Sequence, residues 1–219
     1  MNLSTFQAAL FDLDGVVFDT EPQYTVFWGE QCRRYHPEMP GLEQRIKGQT
    51  LTQIFDGYFA GQPDVQAAIT AGLNDFEQNM HFGYVPGFLT FVDDLHQRGI
   101  RTAVVTSSNQ PKMSSVYRQR PEFRSLFDAI LTSEDFAHSK PHPDCYLRAA
   151  ARFGVSADAC VVFEDSFNGL RSGRAAQMAV VGLSTTNEAA QIAPLCDLVI
   201  ADYEGLDGEK IWQNLSVCR

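Results

Sequence analysis

The sequence predicts an α/β fold: a parallel sheet covered by helices on both faces, with a small helical unit inserted after the first strand. Three observations predict it. From residue 86 onward, short apolar runs alternate with segments of helical spacing, the pattern of strands joined by crossover helices. One further apolar run, Ala8-Ala9-Leu10-Phe11, stands alone ahead of residues 19–83, where no strand pattern occurs. Three runs also end in reactive polar residues. Residues 8–11 run into Asp12-Leu13-Asp14-Gly15, 102–105 into Thr106-Ser107-Ser108-Asn109, and 160–163 into Glu164-Asp165-Ser166. Ligands bind beyond the carboxyl ends of the strands in an open parallel sheet, so these groups are expected to converge on one crevice.

Each element follows from its pattern. Residues 8–11 are apolar on both faces, as a doubly covered strand requires. Residues 19–83 carry helical spacing instead, as in Tyr24, Phe27 and Trp28 or Ile54 and Tyr58. Pro86 and Gly87 open a helix with Phe88, Phe91, Val92 and Leu95 on one face, closed by Gly99. A strand at 102–105, a helix at 111–119 and a strand at 129–131 follow. The helix at 143–153 is expected to turn Tyr146, Leu147, Ala150 and Phe153 inward and to close at Gly154. A strand at 160–163, a helix at 167–176 and strands at 179–183 and 197–200 complete the alternation. The expected division is a core of residues 1–18 and 85–219 with an insert of 19–84. Both crossings lie near the Asp12–Asp14 turn, which sets the insert over the crevice as a lid.

The 219 residues suffice for one large domain, or one domain with an insert, and 44% are apolar, enough for a full core. No apolar run approaches the length of a membrane span, and the first residues lack the pattern of a signal peptide. The five cysteines, Cys32, Cys145, Cys160, Cys196 and Cys218, are odd in number and lack C-x-x-C spacing, which argues against a disulfide framework or zinc site and fits a cytoplasmic location. A net charge of -10 without a basic run makes nucleic acid and anionic membrane poor partners. A monomer is expected.

The strand-end residues carry the chemistry. Asp12 and Asp14, two apart on an extended backbone, leave the same face, and their repulsion calls for a cation or a functional role. One carboxylate can act as a nucleophile toward phosphorus while the other moves a proton to and from the exchanging oxygens. An Asp-x-Asp-Gly turn is equally common as a plain polar loop. Glu164 and Asp165 end a buried strand, and an oxygen-only donor set suits Mg²⁺. The same pair also fits an acidic helix N-terminus capped by Ser166. Thr106, Ser107, Ser108 and Asn109 precede a helix, where hydroxyls and free N–H groups bind phosphate or serve as an ordinary cap. Lys140 lies in Ser139-Lys140-Pro141-His142-Pro143, where prolines stiffen a turn that either aims the ammonium at a phosphate or leaves it in solvent. His138 and His142 read as solvated loop residues. No Walker A, G-x-G-x-x-G or G-x-S-x-G motif occurs.

Four segments in order, Phe11 to Pro22 (FDLDGVVFDTEP), Val104 to Ser108 (VVTSS), Lys140 to Pro143 (KPHP) and Val162 to Gly169 (VFEDSFNG), resemble the motifs of the haloacid dehalogenase-like superfamily, in its β-phosphoglucomutase-like group. The resemblance spans essentially the whole chain. It implies a Rossmann-like parallel sheet core with an inserted small helical cap domain, a small phosphorylated metabolite as substrate and Mg²⁺ as cofactor. It implies Asp12 as nucleophile, Asp14 as acid and base, and Thr106 and Lys140 as phosphate-binding residues. The implied Mg²⁺ ligands are Asp12, the Asp14 carbonyl, Glu164 and Asp165. Ile46-Lys47-Gly48-Gln49-Thr50 resembles the loop that reads the leaving group, and Tyr24 faces the same subsite. The sugar-phosphate mutases of the group carry a histidine where this chain has Tyr24 and an arginine where it has Leu51. Those two departures favour a phosphatase over a β-phosphoglucomutase. A receiver module or a non-catalytic sugar-phosphate binder fits less well, since neither needs Asp12 and Asp14 together.

Overall fold

The computed structural model describes residues 6–47 and 49–217. Six parallel strands form one sheet in the order β3-β2-β1-β4-β5-β6, with β1 at Ala8–Phe11, β2 at Arg101–Val105, β3 at Ala129–Leu131, β4 at Cys160–Glu164, β5 at Ala179–Leu183 and β6 at Leu198–Ile200. The chain reverses its direction of travel across the sheet between β1 and β4, and this switch point opens a crevice at their carboxyl ends. Leu10 pairs with both Ala103 and Val162 in register, so the ends of β1, β2 and β4 lie level.

The strands are buried on both faces because their side chains alternate between two cores. Ala9, Phe11, Val161 and Phe163 face one core, and Ala8, Leu10, Cys160 and Val162 the other. The first core is closed by α5 (Phe88–Gln97), α6 (Gln110–Gln119) and α10 (Gly208–Val217), the second by α7 (Asp144–Phe153), α8 (Phe167–Ala175) and α9 (Ala189–Ile192). Phe88, Phe91, Val92 and Leu95 form the buried face of α5, as their spacing predicts. On α7 the buried face is Cys145, Tyr146, Ala149 and Ala150; Leu147, expected inward, is 43% exposed. The buried set 145, 146, 149 and 150 follows one helical face, and Leu147, one position round from Tyr146, falls outside it. Helix α10 has no counterpart in the sequence pattern, which ends at the last strand.

Residues 21–79 are helical: α1 (Glu21–Tyr35), α2 (Leu42–Arg45), α3 (Leu51–Tyr58) and α4 (Pro63–Asn79) enclose a third core of their own around Phe27, Trp28, Ile54, Phe59 and Ile69. The chain enters and leaves this unit along adjacent paths. Asp19 N–H donates to the Gly83 carbonyl at 2.8 Å and Val85 N–H to the Val17 carbonyl at 3.0 Å. Two polar seams tie the unit to the sheet-bearing part. Arg118, Gln119 and Arg120 on and after α6 donate to the carbonyls of Gln78, Met80 and Phe82, and Asn168 of α8 donates to Gln53 Oε1 of α3 at 3.0 Å. Gln53 also completes a capping box with Thr50. Cys32, Cys145, Cys160 and Cys196 are buried free thiols, and Cys218 lies outside the described residues. No helix among the described residues is long and apolar enough to cross a membrane.

Candidate active site

A cavity of about 530 Å³ opens at the switch point between the strand ends and the helical unit. Asp12, Asp14, Thr106, Ser107, Ser108, Asn109, Lys140 and Asp165 line it from the sheet side, and Tyr24, Lys47 and Gln49 from the helical side. Gly48 lies outside the described residues. Glu164 sits beneath this surface, fully buried.

Backbone pairing carries on past β1, where Asp12 N–H donates to the Phe163 carbonyl, and fixes the Asp12 side chain at the crevice floor. Gly15 then turns the chain with φ +71°, and a Cβ there would lie 2.1 Å from Asp165 Oδ2, so only glycine permits Asp165 to approach the Asp12–Asp14 turn.

Lys140 links the acids. Its buried ammonium donates to Asp12 Oδ1 at 2.6 Å, Glu164 Oε1 at 2.7 Å and the Val105 carbonyl at 2.9 Å. Burial pulls this ammonium down, but the charges of Asp12 and Glu164 outweigh it and hold Lys140 well above the ordinary lysine value. The stiff Ser139–Pro143 turn thus aims its lysine inward.

Glu164 is held on every side. Oε1 also accepts from the Tyr146 hydroxyl, and Oε2 accepts from the backbone N–H groups of Asp165 and Ser166 and from the Ser166 hydroxyl. Ser166 Oγ in turn accepts from Gly169 N–H at the start of α8. Ser166 thus caps α8 directly behind the strand-end acid pair, as the helix-start reading expects.

Burial, followed by the charge of Glu164, pushes the Asp165 carboxyl well above the carboxylate range, against a hydrogen bond from Thr186. Burial also pushes Asp12 up to about 7, with Glu164 and Asp14 raising it and Lys140 opposing. Oxygen atoms of Asp12, Glu164 and Asp165 lie within 4.8 Å of one another. Three carboxylates against one ammonium, all with oxygen donors, fit a hard divalent cation such as Mg²⁺.

Asp14 points to other partners. It accepts from Thr20 Oγ1 at 2.7 Å, Ser108 Oγ at 3.3 Å and the Lys112 ammonium. Thr106, 1% exposed, accepts from Ser108 N–H through Oγ1 and so fixes the loop. Asn109 caps α6 by accepting from Lys112 N–H, so its side chain is engaged within the protein. Gln49 donates to the Arg45 carbonyl. His138 and His142 are exposed neighbours whose rings lie 4.5 Å apart, away from the cavity.

The cavity lining includes groups to which the sequence reading gave no role, among them Lys112, Glu21, Glu77 and Asn168. Lys112 had a signal, as a cation in the first turn of a helix that follows a phosphate-loop pattern, and Glu21 and Asn168 lie inside two of the motif segments. Glu77 depends on how the helical unit packs.

Comparison with known proteins agrees with this geometry. The haloacid dehalogenase-like hydrolase family matches residues 6–177. Hexitol phosphatase A of Escherichia coli is 30% identical over 201 residues, covering 89% of this chain and 90% of that protein. β-Phosphoglucomutase of Mycobacterium bovis is 29% identical over 238 residues, covering 91% of each. A family IA, variant 3 hydrolase structure from Entamoeba histolytica superposes with a TM-score of 0.83 at 21% identity, over 96% of this chain and 100% of that one.

Proposed function

The chain belongs to the haloacid dehalogenase-like hydrolases, a family of phosphatases and phosphomutases, and from that premise we propose that it is a Mg²⁺-dependent phosphatase of a small phosphorylated metabolite, a sugar phosphate or close analogue. The carrying observation is the pair Asp12 and Asp14 on one crevice, Asp12 bound to Lys140 and Asp14 free of that network.

Asp12 attacks phosphorus and the ester P–O bond breaks, while Asp14 gives its proton to the leaving oxygen. Asp14, now a carboxylate, takes a proton from water; the water oxygen attacks phosphorus and the acyl-phosphate bond to Asp12 breaks, releasing phosphate. Lys140 keeps one Asp12 oxygen fixed and offsets phosphate charge. Thr106 and the N–H groups ahead of α6 hold the phosphate oxygens. Asp12, Glu164, Asp165 and the Asp14 carbonyl would hold the Mg²⁺, which when bound neutralises charge on the transferring group. Residues 19–84 act as a cap over the crevice.

Hydrolysis rather than mutase chemistry is supported by the cap wall. A mutase holds a bisphosphate by both ends, and the distal phosphate needs a cationic, preferably bidentate, anchor. Tyr24 and Leu51 stand in that wall where the mutases resembled carry a histidine and an arginine, and Lys47, the substitute there, is a point charge without the bidentate fork. The test is incubation with β-glucose 1-phosphate and a trace of glucose 1,6-bisphosphate, following glucose 6-phosphate and free phosphate separately. Phosphate release without activation by the bisphosphate is expected. Rapid glucose 6-phosphate formation with little phosphate would establish the mutase instead.

A further inference from the structure

Lys112 is a lysine of the sheet-bearing part that reaches across to the helical unit. Only 3% exposed, its ammonium donates to Asp14 Oδ2 and to the Tyr24 hydroxyl at 2.5 Å, and it lies 4.8 Å from the centre of the Tyr24 ring. The Tyr24 hydroxyl passes its own hydrogen to Glu77 Oε1 at 2.8 Å. An ammonium has three N–H donors, and among the described residues two acceptors are given to this one. Lys112 lines the cavity beside Asp14, the group assigned to the leaving oxygen. When Asp14 turns to that oxygen, its bond to Lys112 is exchanged, and the ammonium faces the atoms next to the ester.

The charges around it decide what it meets there. Asp14, Glu21, Glu43 and Glu77 line this half of the cavity against Lys47 and Lys112. A buried ammonium beside a carboxyl that exchanges its proton favours a hydroxyl, which both accepts from ammonium and donates to carboxylate. We propose that Lys112 is a specificity-determining residue whose ammonium hydrogen-bonds a hydroxyl of the leaving group, so that a hydroxylated leaving group is preferred over its alkyl analogue. The inference rests on the phosphatase reading above and adds the class of leaving group to it.

The test uses two esters matched in carbon number and leaving-group chemistry, a straight-chain hexitol 6-phosphate and n-hexyl phosphate, with p-nitrophenyl phosphate as a general probe. Because both alkyl esters make the same demand on Asp14, a misplaced Asp14 lowers kcat/KM for both alike, whereas loss of a hydroxyl contact lowers it for the hexitol ester through KM. The wild type is expected to prefer the hexitol ester by roughly a hundredfold, since a polar site left unpaired rejects the analogue that lacks the hydroxyl. Lys112→Met is expected to reduce that preference tenfold or more, with Lys112→Arg retaining most of it. Tyr24→Phe, which leaves the Asp14 pair in place, is expected to reduce it by a smaller factor, and it serves where Lys112→Met fails to fold. An unchanged preference in Lys112→Met, or in Tyr24→Phe where that variant serves, overturns the proposal. So does a wild type that splits p-nitrophenyl phosphate but neither alkyl ester, or both equally. A wild type that splits none of the three overturns the phosphatase reading itself.

Discussion

At the scale of single residues, Asp12 is the sharpest point of the mechanism. Asp12→Asn is nearly isosteric and removes charge from a site where burial and two neighbouring acids already press on it, so the fold should survive. Its kcat should fall by about a thousandfold or more, because the amide is a poor nucleophile. Retention of a tenth of wild-type activity in the purified variant contradicts the role. Glu21 gives a test in stability. Burial first, and then the charge of Asp14, push its carboxyl up to about 7, against the pull of Lys47 and Lys112. The unfolded chain ionises near the ordinary value of about 4.3. The folded state therefore binds this proton more tightly, and stability falls as pH rises from about 4 through 7. Glu21→Gln should melt a few degrees above the wild type at pH 8 and level with it below pH 4; a pH-independent difference in Tm contradicts this. Asp12, Asp14, Lys140, Glu164 and Asp165 were legible in the sequence because each sits at or near the end of an apolar run or in a proline-stiffened turn. Glu77 was not, because nothing in a helix's own pattern says which of its polar residues will face a cavity formed with another element.

At the scale of elements, α8 shows how closely local structure and site are joined. Its start is capped by Ser166, and its first turn passes so near Glu164 that a Cβ on Gly169 would lie 1.7 Å from Oε1. Gly169→Ala should displace Glu164 from Lys140 and Tyr146, lowering Tm by several degrees and kcat tenfold or more. Thermal melting and p-nitrophenyl phosphate turnover check both, and wild-type values in both would show that the turn relaxes freely. The sheet was legible for a simple reason: strands buried on both faces have to be apolar throughout, and short apolar runs bounded by polar turns leave little else to be. Helices gave less. The face of α7 was misjudged at Leu147 because the buried stripe is centred on Cys145, Tyr146, Ala149 and Ala150, which leaves the leucine on the solvent side. Among its described side chains α10 buries Ile211, Trp212 and Leu215, and it packs against α5 to complete a core that already exists.

At the scale of the whole molecule, the crevice gathers three carboxylates from two strands around one lysine, and the assembled charge is what calls for a cation. Exhaustive EDTA treatment should abolish turnover and lower Tm, and Mg²⁺ should restore both. Ca²⁺ should bind and inhibit, since it accepts additional oxygens where Mg²⁺ holds strict octahedral geometry. Full activity after EDTA contradicts the oxygen-ligand site. The convergence itself could be read from the sequence, because strand ends in a parallel sheet point one way; the counterpart wall could not, because it depends on how α1–α4 settle above them. The path of the chain into that wall has one more consequence. Entry and exit run side by side, joined by the Asp19–Gly83 and Val17–Val85 hydrogen bonds. A loop whose ends already meet adds little closure entropy as it lengthens, so a different insert at these points costs the sheet little beyond the contacts that Met80 and Phe82 make with its core. The molecule is thereby a socket with an interchangeable head. The strand-end groups would stay constant while a different insert, grafted at the same two points, would set a different wall against them.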